Sequence, residues 1–427
     1  MSETTLTLLG FGMVITFMVL IMTKKLSPQV ALIMVPVLFG LIAGASSGIG
    51  PMMLDGVKEI APTGVMLIFG ILYFGIMIDV GLFEPLVSKI LRLAKGDPLK
   101  IITGTAILAL LVSLDGDGAT TYMIVIAAIL PLYKRLGINL LILTAVIMLS
   151  GGVMNILPWG GPTARAMSAL KLDASEIFTP LITSMIAGVV WVLFVAYYLG
   201  KKERKRLGIT VVPIQESNGG KRPKLIAINL FLTLSLMVSL VMNLLPLVIL
   251  FMLAFALALI INFPKPEDQR ARIVAHAGNA LSVGSMVFAA GIFTGILSGT
   301  NMLDAMAQSF IHIIPDSWGN NMAVITALTS MPFTYFVSND AYYFGILPLA
   351  AEAASHFSIP AAEIGRASLL GQPVHLLSPL VPSTYLLVGL AGVNFGDHQR
   401  FTLKWAIGTV VVMTIASIVA GVIQIHL

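Results

Sequence analysis

Apolar residues fall into blocks of roughly twenty along the chain, with polar residues confined to short intervals between them. Long blocks occupy residues 6–22, 29–45, 64–82, 140–157, 178–199, 225–244, 247–261, 282–297, 364–390 and 403–425. A helix needs about 20 apolar residues to cross a bilayer core. The pattern therefore predicts an all-α polytopic membrane protein with about ten transmembrane helices. Two further blocks, 101–131 and 322–354, are broken midway by acids and turn residues, and read as re-entrant hairpins. No basic stretch precedes the first block, and Lys24 and Lys25 follow it, so it reads as a span and not as a cleaved signal.

Composition narrows the class. Of 427 residues, 57% are apolar and 11% are charged, against about 25% charged in soluble domains. That excludes a soluble enzyme, a disordered chain and a nucleic-acid binder. The chain has no cysteine, so neither a disulfide nor a thiolate site enters the argument. The net charge is only +5, and its placement says more than its size. Six intervals are assigned to the cytoplasm: Lys24/Lys25, 89–100, Lys134/Arg135, 201–224, 265–272 and Arg400/Lys404. They hold 21 of the 25 Lys and Arg, as the positive-inside rule demands. This orientation requires both hairpins to enter and leave on one side, the first from inside and the second from outside. Both termini then lie outside. Residues 200–224, with their KKERKR run, read as a cytoplasmic linker between two halves. The basic amphipathic stretch 84–95 reads as a helix lying in the membrane interface.

The chain also resembles itself at an offset near 220. GVMLIFGILYFGIMIDVGLFEP from Gly64 aligns without gaps on GSMVFAAGIFTGILSGTNMLDA from Gly284. The hairpin tip LDGDG at 114–118 answers VSNDA at 337–341, and the proline-broken PWGGPT at 158–163 answers PLVPST at 379–384. With the orientation above, the two halves enter the membrane from opposite sides. Inverted repeats with broken helices mark secondary transporters, and the matched breaks point to the substrate site.

The first tip places Asp115, Gly116, Asp117 and Gly118 between apolar runs, with Thr120 and Thr121 just behind. A carboxylate at membrane depth costs about 2.5–3.5 kcal/mol on the insertion scale, so these acids face water, a cation, a proton or a polar network. DGDG resembles the start of a calcium loop but lacks its later ligands, since Ala119 and Ile126 hold those places. The second tip carries Ser338, Asn339 and Asp340. Asp117 and Asp340 are the acids common to both tips, and are the proton-carrier candidates. Neither broken helix can stay regular, because Pro158, Pro162, Pro379 and Pro382 each remove a backbone donor. In lipid, such freed groups are tolerated only beside protein or a wet cavity. This makes Asn155, Gly160, Gly161 and Thr163, with Ser378, Pro379, Ser383 and Thr384, substrate-binding candidates, alongside Asp115, Gly116, Gly118, Thr120 and Thr121 of the first tip and Ser338 and Asn339 of the second. Two readings stand for Arg165, a contact to a substrate carboxylate or an outward snorkel. His375 precedes the second break and is a candidate for the lining.

SLDGDGATTYMI from Ser113 and NILPWGGPTARA from Asn155 resemble the CitMHS family, bacterial proton symporters that carry citrate as a complex with a metal cation. The likeness covers essentially the whole chain. It implies citrate with a divalent or trivalent metal as substrate, no intrinsic cofactor, Asp117 and Asp340 near the metal of the bound complex, and the bacterial inner membrane as location. The wider superfamily of sodium–dicarboxylate carriers has Ser-Asn-Thr at both tips. Here Ser338 and Asn339 keep that pattern, while Asp340 replaces the threonine, which speaks for proton over sodium coupling. The resemblance further implies a homodimer with an elevator motion. The scaffold would be 1–97 and 225–320, and the transport half 98–199 and 321–427. A gluconate- or dicarboxylate-type carrier on the same scaffold is the alternative. Intramembrane enzymes fit poorly: H-E-x-x-H is absent, and Asn339-Asp340 is followed by Ala-Tyr-Tyr without the second aspartate of a prenyltransferase.

Overall fold

The computed structural model describes residues 2–425 apart from 24, 83–84, 86–88, 91, 93–95, 117, 210–222, 243, 312–315 and 379–380. Among the described residues all regular structure is helical. Most of the interfacial stretch 84–95 and most of the linker 200–224 fall outside them.

The first half runs through α1 (Glu3–Met22), α2 (Pro28–Ile42), α3 (Ile49–Asp79), α4 (Pro98–Val112), α5 (Gly118–Leu136), α6 (Leu140–Met154), α7 (Gly161–Leu170) and α8 (Ala174–Leu207). The second half follows the linker. It has α9 (Pro223–Val241), α10 (Leu247–Asn262), α11 (Pro266–Gly299), α12 (Met302–Ile311), α13 (Met322–Phe336), α14 (Leu347–Ser355), α15 (Ala361–Leu369), α16 (Pro382–Ala391) and α17 (Phe395–Val419). Polar caps start several of these helices. Ser27, Asp97, Asn139 and Asn394 accept from early amides of α2, α4, α6 and α17, and Asp173 with Glu176 forms a capping box on α8.

Among the described residues, four helical stretches are each long and apolar enough to cross a bilayer: α3, α8, α17 and residues 280–299 of α11. Others are too short to do so alone; α2, α4, α6 and α13 have 15 residues each. The shortness of α4, α6 and α13 has a cause: each ends where the chain turns at a tip or breaks. The apolar block 364–390 is likewise three pieces, α15, a single turn Gln372–His375 and α16. Helix α3 starts 15 residues before its predicted apolar block at 64, because the polar residues that end the block do not end the helix. Lys58 pairs with Asp55 at 3.3 Å and Glu59 with Lys171 at 2.8 Å, so the charges are held outside the packed face.

Helices α3 and α11 pack along most of their length. They run antiparallel, because contacts that climb one helix descend the other. A Cβ on Gly56 would lie 2.0 Å from the Gly291 carbonyl oxygen, and one on Gly291 would lie 2.7 Å from Ile60. Further along, Gly64 faces Phe288 while Gly284 faces Ile68, both at 2.8 Å. Under the 220 offset, Gly64 and Gly284 are equivalents, as are Ile68 and Phe288. The two contacts are therefore one contact made twice. Gly75 against His276 and Gly295 against Gly56 form a second such pair. At the far end Asp79 Oδ2 meets His276 Nε2 at 2.9 Å and Arg272 at 3.3 Å. Close approach through small residues is how helices associate where lipid removes the hydrophobic drive.

Elsewhere α4 packs on α6 and α8, and α17 packs on α6 and α8, while α13 and α14 close on α15. The end of α8 ties down neighbouring turns. Arg204 holds Asp97 through both oxygens, and Arg206 reaches Glu203 and the Gly137 carbonyl.

Candidate functional site

The two tips and the two breaks meet around one cavity of about 340 Å³. The first tip closes with a 3-10 turn, Ser113–Asp115, and Gly116 in the left-handed region at φ 76°. A side chain there would be strained and would also strike Trp159, whose Cδ1 lies 2.8 Å from the site of a Cβ. Trp159 in turn donates from Nε1 to the Leu114 carbonyl at 2.8 Å, so the first break grips the first tip. Its ring stacks on Phe74 at 5.3 Å and meets Phe251 edge-on at 5.0 Å, joining the grip to α3 and α10.

Of the residues singled out from the sequence, Gly116, Gly118, Asn155, Gly161, Asn339 and Ser383 line the cavity, together with Arg165 and His375. Asp117 and Pro379 lie outside the described residues, as do the side chains of Asp115 and Thr120. Asp340 is placed by its partner: Arg165 Nε donates to Asp340 Oδ1 at 2.6 Å, with both side chains mostly buried. Arg165 also donates to the Gly161 carbonyl at 3.0 Å. Of its two readings from sequence, outward snorkelling is not what the structure has; the guanidinium turns inward.

Several hydroxyl residues sit behind the cavity wall. Thr163 donates to the Ile156 carbonyl at 2.9 Å, Ser378 to that of Tyr335 at 2.6 Å, and Thr384 to that of Leu376. The breaks free backbone carbonyls, and a nearby hydroxyl is the cheapest partner for each. Ser338 caps the short helix Asn339–Ala341 by accepting from Ala341, Thr121 is fully buried, and Gly160 forms the N-cap of α7. The second hairpin continues through a π-helical stretch, Tyr342–Ile346, a departure from α geometry often found beside functional sites.

The sequence reading missed other wall residues. Ser113 lines the cavity with its buried Oγ unpartnered among the described residues, and Gly151 lies opposite the first tip. Gln372, fully buried, links Asn155 and Asn339. Its only signal in the sequence was its place just before the second break.

Helices α5, α7 and α16 all begin at the cavity, and their first amides suit an anion. Formal positive charge on the lining is limited, among the described residues, to Arg165, already neutralised by Asp340. Also among the described residues, no three His, Asp or Glu side chains gather as a metal cage.

Comparison with known proteins agrees with this architecture. The chain is 64% identical over 424 residues to a citrate transporter of Bacillus subtilis (strain 168), covering 98% of this chain and all of the relative. It is 52% identical over 431 residues to the Mg(2+)/citrate complex secondary transporter of the same organism, covering 98% and 99%. The crystal structure of the YdaH transporter of Alcanivorax borkumensis shares the fold, with TM-score 0.56 at 12% identity over 85% of this chain and 86% of that one. The family model described as "Citrate transporter", CitMHS, matches residues 17–371. With a glycine-turned first tip, proline-broken helices and these relatives in agreement, the chain belongs to the CitMHS family of citrate transporters, multi-pass membrane proteins.

Proposed function

We propose that the chain imports citrate as a complex with a metal cation, coupled to protons, across the bacterial inner membrane. The observation that carries this reading is the charge balance of the cavity. A free tricarboxylate would need several cationic partners, yet the one lining cation on view is already spent on Asp340. A complex whose metal cancels most of the citrate charge needs only neutral donors and helix N-termini, which this site has. The name of the relative at 52% identity, an Mg(2+)/citrate complex secondary transporter, supports the same substrate. The metal travels as cargo with citrate.

Asp340 is the proton carrier in this reading, with Asp117 as its counterpart at the first tip. A proton on Asp340 releases Arg165, which is then able to take a substrate carboxylate; departure of the substrate restores the ion pair. Asn155, Gly161, Asn339 and Ser383 supply neutral contacts, and Asp115, Gly116, Gly118, Thr120, Thr121, Gly160, Thr163, Ser338, Ser378, Pro379 and Thr384 shape the tips and breaks. The reciprocal antiparallel contacts of α3 and α11 support an inverted repeat, since contacts that exchange in this way fit a two-fold axis that passes between the two helices, perpendicular to both. The packing of α4, α6, α8 and α17 supports a transport half, 98–199 with 321–427, that moves as an elevator against a scaffold of 1–97 and 225–320, in a homodimer.

Uptake of labelled citrate into proteoliposomes, with and without Mg²⁺, Ca²⁺ or Fe³⁺ and with an imposed pH gradient, tests the reading. Metal-dependent, gradient-driven accumulation is expected. Equal uptake of free citrate, indifferent to metal and to pH, would sink it. A competition panel including gluconate and dicarboxylates separates the alternative substrates.

A further inference from the structure

Gln372 holds the centre of a buried chain of amides. At offset 221 its equivalent is Gly151, so one half carries a polar side chain where the other carries none. Its Nε2 donates to the Tyr343 hydroxyl at 2.9 Å and to Asn339 Oδ1 at 3.3 Å, and its Oε1 accepts from Asn155 Nδ2 at 3.4 Å. Turning the amide over would exchange these roles. Tyr343 forbids it. The Tyr343 O–H donates to the Ser368 carbonyl at 3.3 Å, an atom with no proton to give. The phenol oxygen then has only lone pairs left for Gln372. Gln372 must offer it an N–H, which sends the second N–H to Asn339 Oδ1 and leaves Oε1 for the Asn155 amide.

We infer that Gln372, locked by Tyr343, is a positioning residue that gives the cavity a donor wall and an acceptor wall. Asn339, whose oxygen is taken, presents its NH₂ group to the substrate. Asn155, one of whose two N–H groups is taken, presents its oxygen beside the remaining N–H. His375 joins the acceptor wall, because its Nδ1 lies 2.6 Å from the Thr334 carbonyl and must donate there, so the neutral ring keeps its lone pair on Nε2. Arg165, held by the residue next to Asn339, belongs to the donor wall. A metal–citrate complex has two matching sides: its carboxylate oxygens accept, while its hydroxyl and metal-bound waters donate. The inference rests on the transport reading above and fixes which way round the complex lies, with carboxylate towards Asn339 and the O–H donors towards Asn155 and His375.

Initial rates of magnesium–citrate uptake by the full chain in proteoliposomes test it. The ionised carboxylate of Gln372→Glu only accepts, so Asn339 must turn its NH₂ inward and offer the substrate an oxygen. KM is expected to rise about tenfold, as when a hydrogen-bonding site is mispaired, with the maximal rate within about twofold. Tyr343→Phe removes the lock but keeps the ring, and serves if Gln372→Glu does not fold. Its KM is expected to rise at least about threefold at an unchanged maximal rate. A KM unchanged in Tyr343→Phe, or a maximal rate that falls while KM stays put, would overturn the inference and leave Gln372 a structural residue. Wild-type protein that takes up no magnesium–citrate sinks the transport reading and this one with it. Wild-type uptake with unmoved KM in the variants sinks this one alone.

Discussion

Arg165 and Asp340 are 175 residues apart in the chain, and the Nε of one donates to the Oδ1 of the other at 2.6 Å. The arginine comes from the half-helix after the first break, and the aspartate from the second hairpin tip. Each neutralises the only charge the other meets at the cavity wall among the described residues. Whatever displaces one partner changes what the other is free to do.

The ion pair makes Asp340→Asn the most direct test of coupling. Asparagine leaves Arg165 unneutralised and removes the titrating group. Proton-driven accumulation of citrate should fall by about tenfold or more, the scale of a lost charge-assisted bond, while citrate–citrate exchange persists. Accumulation at the wild-type level would reject the proton role.

Gly116→Ala should damage the first tip from two directions. The left-handed backbone at φ 76° costs a side chain about 1–2 kcal/mol, and the methyl group meets Trp159. Initial uptake rates are expected to drop by about tenfold. Trp159→Phe keeps the stack on Phe74 but loses the bond to Leu114, and a smaller loss is expected, read in the same uptake assay.

Packing of α3 on α11 predicts a sharp contrast between glycines. Gly56→Leu drives a side chain into the α11 backbone, whereas a Cβ on Gly278 in the same pair of helices meets nothing within 4 Å. Overpacking costs about 1–3 kcal/mol or more, so Gly56→Leu should lower the thermal midpoint by several degrees or abolish folded yield. Gly278→Ala should match wild type. Equal melting of the two variants would contradict the close approach.

Asp97 predicts a pH signature outside the apolar spans. Hydrogen bonds from Arg204 hold its carboxyl below the usual carboxylate range, ahead of the opposing effect of burial. A folded-state value below the unfolded one, about 3.9, stabilises the fold above that pH and loses its contribution as pH falls further. Asp97→Asn should therefore melt a few degrees lower than wild type at pH 7, with the gap closing below about pH 4. A gap that does not change with pH would assign the effect to the cap on Leu99 alone.

Much of the site was legible because the sequence breaks its own rules there. Asp-Gly and paired prolines inside apolar runs have few explanations, and they led to both tips and both breaks. The pairing of Arg165 with Asp340 was not legible, since nothing local to either residue says which way a long side chain turns. Thr163, Ser378 and Thr384 drew attention as hydroxyls at broken helices, yet they serve carbonyls released by the breaks and by the end of α13. Composition cannot distinguish a hydroxyl facing a ligand from one closing a backbone gap. Gln372 passed unnoticed because a neutral amide carries no burial penalty large enough to stand out. The long helices were underestimated for a related reason: an apolar block ends at the first charges, as at Asp55 and Lys58, while backbone hydrogen bonding continues through them.

The neutrality of the Arg165–Asp340 pair also has an electrical meaning. A membrane potential does about 2.3 kcal/mol of work per 100 mV on each net charge that crosses it. With the pair closed, these two residues present the field with none. In the transport cycle proposed above, the empty site would then return across the membrane without opposing or exploiting the voltage on their account. In the proposed cycle, a proton on Asp340 is what gives these two residues a net charge for the potential to act upon, so their own voltage dependence belongs to the protonated step.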